Sequence, residues 1–280
     1  MNQKKNQANQ NQKRYRKQFL MEKKLAKSLL SANAHQRRRL YRQVYDEFFR
    51  KVPFPNESEK DRIGSGFVSG HVKLLNHFLK PDSTFLEIGP GDCSLSLAVT
   101  KSVRKVYAVD VSPKPSRSLH KPKNFHLIVA DGVSVPVPKA SVNIAFSSQV
   151  LEHIHPDDAL SHLKNVHRAL TETGLYIAIT PNRLWGPHDV SQFFEDKAEG
   201  LHLKEYTVTE LEKLFKTAGF STVQLFIEVR GKVIRYPTFP VKVVEWCIQL
   251  LPPSVQKRVA KFAPFTLLLG ILVIAEKGTT

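Results

Sequence analysis

Short apolar runs alternate with segments of helical periodicity through most of this 280-residue chain. Residues 67–79, 94–99 and 157–170 have the apolar spacing of helices. Apolar runs typical of buried strands start at residues 84, 105, 125, 142, 175, 222 and about 267. Strands and helices that follow one another in this way predict an α/β fold with a mostly parallel sheet.

The C-terminal part contains a segment that a minimal sheet does not need. Residues 233–264 combine the run VKVVEWCIQLL with SVQKRVAKFA, in which basic residues alternate with Val255, Val259 and Phe262. This pattern predicts a helical insertion that docks on lipid headgroups, caps a hydrophobic pocket or covers one end of the sheet. The following run, TLLLGILVIAEK, is continuously apolar, as a final strand buried inside a sheet would be.

The N-terminal part differs from the rest in both pattern and charge. Residues 1–18 are mostly Asn, Gln, Lys and Arg, which predicts a disordered basic tail. Residues 19–61 regain apolar positions at helical spacing and predict a basic helical extension ahead of a folded domain at 62–280. Up to Lys51 there are 15 Lys and Arg against three acids, compared with 27 against 22 in the remainder. We expect this extension to bind an anionic membrane surface or nucleic acid, or to pack on the domain.

Composition favours an intracellular protein. Cys93 and Cys247 are the two cysteines, and their spacing supports neither a disulfide framework nor a zinc site. No apolar segment near the N-terminus resembles a secretion signal, and the longest apolar run, residues 265–275, is shorter than the about 20 residues of a spanning helix. We expect a cytoplasmic protein without a transmembrane segment, at most in peripheral contact with a membrane.

The segment FLEIGPGDC, residues 85–93, ends the first predicted strand in a sharp turn. Gly89 and Gly91 allow backbone to approach a nucleotide-type cofactor closely. A dinucleotide site would have a third glycine at position 94, where this chain has a serine. Glu87 would repel a pyrophosphate but attract an ammonium group, so the turn favours S-adenosylmethionine over NAD.

Two later strand ends carry residues that suit the rest of such a cofactor. Asp110 lies 19 residues beyond Gly91, where a carboxylate suits the two hydroxyls of a ribose. Asp131 can accept from an adenine amino group, and Gly132 allows backbone to reach the ring.

Taken in order, these residues resemble the class I S-adenosylmethionine-dependent methyltransferases, in the broad group with E-x-G-x-G, V-L-E-H-I and T-P-N segments. Here those segments are residues 87–91, 150–154 and 180–182, and the resemblance covers about residues 63–229. It implies a Rossmann-like sheet of seven strands, the last antiparallel, and S-adenosylmethionine as cofactor. The cofactor-binding residues that it implies are Glu87, Gly89, Pro90, Gly91, Asp110, Asp131, Gly132, Ser148 and Gln149. Cys93 stands where a further glycine is common, and its small side chain should be tolerated.

In-line methyl transfer needs alignment of three atoms and a desolvated cofactor more than a fixed set of catalytic side chains. His153 can take a proton from a hydroxyl acceptor, or it can hold its own loop by a hydrogen bond. His188, His202 and Tyr206 are further candidates for the acceptor pocket. We expect a small, lipophilic acceptor. The alternatives are an RNA or protein methyltransferase that docks through the basic extension, and a cofactor-binding protein without turnover.

A sharper alternative comes from the methyltransferases that modify the 3′-terminal ribose of small RNAs. In them a divalent metal is held by two acids and two histidines. The acids and one histidine belong to an E-x-x-E-H segment, and the other histidine comes later in the chain. The matching positions here are Gln149, Glu152 and His153, with His202 as the distant partner. Because glutamine replaces the first acid, the site loses one hard anionic ligand. We therefore expect no metal site in this chain.

Overall fold

An eight-stranded sheet forms the centre of the computed structural model, which describes residues 2–52, 65–114, 122–229 and 231–278. Its strands are β1 (Thr84–Ile88), β2 (Lys105–Asp110), β3 (Phe125–Val129), β4 (Val142–Ser148), β5 (Leu170–Thr180), β6 (Thr222–Val229), β7 (Lys232–Tyr236) and β8 (Ile271–Glu276). Their order across the sheet is β3-β2-β1-β4-β5-β8-β6-β7. The first five in this order are parallel, whereas β8 is antiparallel to β5 and β6. The predicted Rossmann-like α/β fold is confirmed.

The sheet has one strand more than the seven that we predicted. β7 pairs antiparallel with β6, from Leu225 opposite Tyr236 to Val229 opposite Lys232. It occupies the start of the segment that we predicted to be helical. Gly231, with φ +76°, lies in the short connection between the two strands. A glycine between two apolar runs is a hairpin signal, and the helical interpretation of residues 233–264 overlooked it.

Helices cover both faces of the sheet. They are α1 (Asn2–Leu30), α2 (Ala34–Lys51), α3 (Ser65–Leu75), α4 (Ser94–Val99), α5 (Pro156–Ala169), α6 (Val208–Thr217), α7 (Thr238–Gln249), α8 (Pro253–Ala260) and α9 (Ala263–Leu268). Single 3-10 turns occur at Leu151–His153, Arg183–Trp185 and Val190–Phe193. In the described ranges, no helix combines the length and apolar character that crossing a bilayer requires. Because α9 takes up residues 263–268, the last strand begins at Ile271 and not near residue 267.

Successive residues of each central strand enter two different cores. Phe85 and Phe146 are buried on one face of the sheet, under α3 and α4, whereas Leu86 and Ala145 are buried on the other, under α5 and α6. This alternation follows the two-residue period of a strand and requires both faces to be covered. The helices on both faces leave the carboxyl ends of the parallel strands together at one edge, where ligands of such sheets bind.

The basic extension packs on the domain through a third apolar cluster. Leu25 and Leu29 of α1 are buried there together with Tyr41 and Val44 of α2. α1 begins at Asn2, so the prediction of a disordered tail is wrong for residues 2–18. A helix that is stabilised by packing of its second half can propagate into the residues that precede it. The predicted boundary between extension and domain, at residues 61 and 62, lies outside the described residues.

A buried ion pair attaches α2 to α5. Arg37 Nε and Nη2 donate to the two carboxylate oxygens of Asp158 at 2.6 and 2.7 Å. Arg37 Nη1 also donates to the carbonyl of Ala32 at 2.7 Å. One turn along α2, the hydroxyl of Tyr41 accepts from the amide of His155 at 2.7 Å. The bidentate geometry compensates for the lost hydration of two buried charges.

Arg37→Met should lower the free energy of unfolding by about 3–5 kcal/mol, because it leaves the Asp158 carboxylate buried without its partner. Arg38→Met is the matched control, since Arg38 pairs with Asp131 at a half-exposed position where a pair contributes at most about 1 kcal/mol. Urea unfolding of both variants and the wild type measures the difference. Equal losses for the two variants would contradict the assignment of the Arg37–Asp158 pair as the main attachment of α2.

Candidate functional site

The candidate site begins at the turn between β1 and α4. Gly89 has φ +65° and Gly91 has φ +53°, a region that glycine adopts without strain. A Cβ on Gly89 would lie 2.5 Å from Val150 Cγ2, whereas a Cβ on Gly91 would meet no atom within 4 Å. The turn therefore presents bare backbone to open space, as close approach of a cofactor requires.

Asp110 lies beside this turn, at the end of β2. Its carboxylate accepts from the amide of Gly91 at 3.3 Å and from the amide of Ser112 at 3.0 Å. Burial raises the pKa of the Asp110 carboxyl to about 6, although both backbone hydrogen bonds act in the opposite direction. The side chain still lines the pocket. A carboxylate in this position can accept from two neighbouring hydroxyl groups of a ligand.

Glu87, which we predicted to meet the ammonium group of the cofactor, is buried and does not face the cavity. Its buried carboxylate accepts from the Ser96 hydroxyl of α4, and it does not line the pocket. Burial raises the pKa of the Glu87 carboxyl to about 7. In this arrangement Glu87 supports the turn against α4, and its contact with an ammonium group stays a prediction.

The loop after β3 reaches the pocket through Gly132. This glycine has φ +83°, and a Cβ on it would lie 2.8 Å from the ring of Tyr41. The neighbouring Asp131 carboxylate accepts from two amides of its own loop, from the Ser134 hydroxyl and from Arg38. Its oxygens are thereby occupied, and its predicted contact with adenine stays a prediction.

A cavity of about 510 Å³ extends from this turn beneath α1 and α2. That volume lies within the range of small-molecule sites. Aromatic side chains of α2 form its roof, namely Tyr41, Tyr45, Phe48 and Phe49. The predicted site residues that line it are Gly89, Gly91, Asp110, Gly132, Gln149, His153, His188 and His202.

Five predicted residues do not line this cavity, namely Glu87 and Asp131, described above, and Pro90, Ser148 and Tyr206. Pro90 lies in the turn between the two glycines, and Ser148 ends β4. Tyr206 is buried in the main core instead. Next to Ser148, Gln149 has φ +56°, an uncommon conformation for a residue with a Cβ. Such strain is often found at functional sites, and Gln149 lines the pocket.

His153 is a neutral imidazole on the pocket wall. Its Nδ1 lies 2.9 Å from the carbonyl oxygen of Leu201 and so carries the proton, which leaves Nε2 with a lone pair. Burial and the neighbouring charge of His202 lower the pKa of His153 to about 3. The ring of Tyr45 lies edge-on to that of His153, with centroids 6.0 Å apart. His153 thus makes a bond that holds its loop and keeps a second nitrogen available for chemistry.

Glu205 organises two further histidines of the pocket, His188 and His202. It accepts from the amide of His188 at 2.7 Å, and its oxygens lie 3.2 Å from His188 Nδ1 and 2.7 Å from His202 Nδ1. Although burial opposes it, these hydrogen bonds lower the pKa of Glu205 to about 2. Burial lowers the pKa of His202, but the hydrogen bond to Glu205 and the charge of Glu152 outweigh it and raise the pKa.

Glu152 converges with His153 and His202, the two histidines of this group that line the pocket. One potential ligand atom from each lies within 4.8 Å of the other two. Glu152 Oε2 accepts from the Thr180 hydroxyl at 2.9 Å, while its buried Oε1 has no hydrogen-bond partner among the residues that the structure describes. Carboxylate oxygens and neutral imidazole nitrogens are ligands of divalent cations, especially where hydrogen bonds hold their outer atoms. We predicted no metal site from the sequence, but this group of residues could hold an ion.

Sequence analysis missed the contribution of the extension to this site. Glu22 of α1 accepts from the amide of Leu201 at 3.3 Å and lines the pocket together with Tyr15. Burial raises the pKa of the Glu22 carboxyl. Two signals were present in the sequence: Glu22 is one of three acids among the first 51 residues, and the aromatic residues of α2 recur at helical spacing.

Comparison with known proteins identifies relatives of this site. A family model described as a methyltransferase domain matches residues 34–225, which is more than half of the chain. A Mycobacterium tuberculosis protein named as a probable S-adenosylmethionine-dependent methyltransferase is 27% identical over 141 residues, or 50% of this chain and 49% of that protein. The human tRNA N(3)-cytidine methyltransferase is 28% identical over 121 residues, or 39% of this chain and 31% of that protein. The matched segments span half or less of these curated relatives.

The fold is also found among solved structures. A chain in the complex of the Haloferax volcanii Trm112 methyltransferase activator with a methyltransferase superposes with a TM-score of 0.55. The match has 14% sequence identity and covers 80% of this chain and 93% of that one. At this identity the similarity concerns the fold.

Proposed function

The chain belongs to the methyltransferase domain family, as a class I S-adenosylmethionine-dependent methyltransferase, and we propose that it methylates a small, lipophilic acceptor. The observation that carries this proposal is the character of the pocket. It is roofed by aromatic side chains, and its described lining includes the acids Glu22, Asp110 and Asp189 but no Lys or Arg. Such a lining suits a cationic sulfonium and an uncharged acceptor, and it offers nothing to neutralise a phosphate of RNA.

The chain's own residues fit S-adenosylmethionine at the turn after β1. Gly89 and Gly91 would let the methionine part approach the backbone, and Asp110 would accept from the two ribose hydroxyls. The adenine ring would lie against the loop after β3, where Gly132 lines the pocket beside Tyr41. When bound, the cofactor supplies an electrophilic methyl group, and the roof of α2 excludes water around it.

His153 would act on the acceptor. Its neutral Nε2 can take a proton from a hydroxyl, or orient that hydroxyl by a hydrogen bond. His188 Nε2 is buried without a hydrogen-bond partner among the described residues and also lines the pocket. It would give a polar group of the acceptor a second contact. Tyr206 would support this end from the core, since it does not line the cavity.

Cofactor binding should depend on the ionisation of Asp110. Ribose hydroxyls donate to the charged carboxylate, so binding favours the deprotonated form. Because the pKa of the free carboxyl is raised to about 6, affinity should be constant above that pH. Below it, affinity should fall by about tenfold per pH unit. Calorimetric titration with S-adenosylhomocysteine across this range measures the dependence.

Two variants make this test specific. Asp110→Asn should weaken binding at neutral pH by more than about tenfold and remove most of the acid dependence. Asp82→Asn, at an exposed position ahead of β1, should bind as the wild type does. Unchanged affinity of Asp110→Asn would refute the ribose assignment.

The acceptor class can be measured by transfer of labelled methyl from S-adenosylmethionine into an extract of source cells. After partition into organic-soluble, aqueous, RNA and protein fractions, we expect label in the organic phase. Asp110→Asn should lose this label. His153→Asn should reduce turnover while affinity for S-adenosylhomocysteine stays within a few fold, because His153 would contact the acceptor.

The other fractions test the alternatives. The human relative is named for methylation of tRNA, so label in RNA would favour docking through the exposed bases of α1 and α2 and would overturn the small acceptor. Label in protein would have the same consequence. Cofactor binding without label in any fraction would indicate a cofactor-binding protein without turnover.

A second candidate function is methyl transfer assisted by a divalent cation at Glu152, His153 and His202. The observation in its favour is the unpartnered, buried Glu152 Oε1 beside two imidazoles. An ion bound there would take over the Nε2 lone pair of His153 and would orient acceptor oxygens. His153 would then be a ligand and not a base.

Co²⁺ titration, followed by visible absorption, and equilibrium dialysis against Zn²⁺ and Mn²⁺ test this site. Wild-type protein should bind one ion, and Glu152→Gln should weaken binding by at least about tenfold. His188→Asn is the matched control, because His188 contacts Glu205 but does not belong to the group. Equal binding by the wild type and Glu152→Gln would exclude the site.

A further inference from the structure

An apolar stripe on α7 faces solvent. Phe239, Val243, Trp246 and Leu250 are 72%, 42%, 62% and 65% exposed. Their spacing of four, three and four residues places all four on one face of the helix, which Leu250 extends by one residue. Scattered apolar residues on a surface need no explanation, but a continuous stripe that contains two large aromatic rings indicates a binding surface.

The opposite face of α7 is fixed to the domain. Val241, Glu245 and Ile248 are buried there, at the same helical spacing. The Glu245 carboxylate accepts from the side-chain amide of Asn182 at 3.0 Å and from the amide of Val208 at 2.7 Å. These bonds set the rotation of α7 about its own axis. The stripe is therefore held toward solvent and is not free to turn inward.

The segment that carries the stripe is basic in sequence. Residues 232–268 contain six Lys and Arg and one acid, and that acid is the buried Glu245. α8 packs against α7 and carries the exposed Arg258, and the exposed Lys261 follows it directly. Phe262, beside Lys261, is a further exposed aromatic residue. Aromatic and aliphatic side chains next to exposed bases characterise helices that lie in the interface of an anionic bilayer.

We propose that α7 and α8 form a docking surface for a membrane that contains anionic lipids. α7 would lie in the plane of the interface with its stripe in the acyl boundary, and the bases of α8 would contact headgroups. A second copy of the chain is a poorer occupant, because a symmetric contact would place the same basic residues opposite each other. Membrane contact would thus use the C-terminal insertion, whereas the apolar face of the basic extension is already buried on the domain.

This surface is connected to the pocket. α8 contacts the turn Arg183–Trp185, and Lys257 Nζ lies 3.7 Å from Asp196 Oδ1. The segment between these two points carries His188 and Phe193, which line the pocket. A docked enzyme would hold this wall of the pocket near the bilayer. The connection to a lipophilic acceptor rests on the proposed function, whereas the membrane contact does not.

Fluorescence of the full chain with vesicles tests the proposal. Trp185→Phe leaves Trp246 as the one tryptophan, since the chain has two. With phosphatidylcholine–phosphatidylglycerol vesicles we expect a shift of its emission to shorter wavelength, quenching by brominated acyl chains, and weaker binding as salt is added. Pure phosphatidylcholine should bind much more weakly. Binding is scored without cofactor, so failure of the proposed methyl transfer would not affect the result.

Paired variants locate the contact. Phe239→Ser with Leu250→Ser should weaken binding by roughly tenfold or more, whereas Leu20→Ser, at an exposed leucine of α1, should not. Arg258→Gln with Lys261→Gln should weaken binding more than Lys24→Gln with Lys27→Gln in α1 does. The reverse order would assign membrane contact to the extension and overturn the proposal. Absence of vesicle binding, or self-association of the wild type that the Phe239 and Leu250 changes abolish, would also overturn it.

Discussion

The buried pair of Arg37 and Asp158 sets the position of α2, and the shape of the pocket depends on that position. With Arg37 fixed, Tyr41 occupies the space in which a Cβ of residue 132 would lie, and Tyr45 lies edge-on to His153. Burial of two charges is unfavourable unless hydrogen bonds satisfy both groups, and here they do. The charge of the basic extension suggested binding to a membrane surface or to nucleic acid. In the structure the extension forms part of the wall of the site.

Burial away from water explains the shifted pKa values of the residues that line the pocket. Burial favours the protonated form of Asp110 and the neutral form of His153, and both groups depart from their ordinary pKa values in those directions. Glu205 stays charged because two histidines donate to it. The lining is acidic although the chain carries a net charge of +17, so the bases are concentrated outside the pocket. This separation of charge is the basis on which we propose an uncharged acceptor beside the cationic cofactor.

The helices near the two ends of the chain, α1 and α2 on one side and α7 on the other, are amphipathic in opposite senses. α1 and α2 bury Leu25, Leu29, Tyr41 and Val44 on the domain and expose most of their Lys and Arg. α7 exposes its apolar stripe and buries Glu245, which four hydrogen bonds attach to neighbouring segments. α1 and α2 complete the pocket, and α7 provides the exposed apolar surface. α8 contacts the segment that carries His188, so this surface lies next to one wall of the pocket.

The strands and the glycine turns could be predicted from the sequence. The contacts between residues that are distant in the chain could not. Apolar periodicity identified the parallel strands, and the positive φ of Gly89, Gly91 and Gly132 follows from turns that the sequence marks with glycine. The sequence did not show that Glu87 and Asp131 bond to their own surroundings, because side-chain direction depends on neighbours that the fold supplies. Nor could it bring Arg37 to Asp158, or Glu152 to His202, since such pairs are far apart in the chain and meet only through tertiary packing. The sequence determined the fold class and the glycine turn proposed to hold the cofactor, because local residue types specify both. The tertiary structure decided the roof, the charge of the pocket and the exposed face of α7, because these depend on contacts between distant segments.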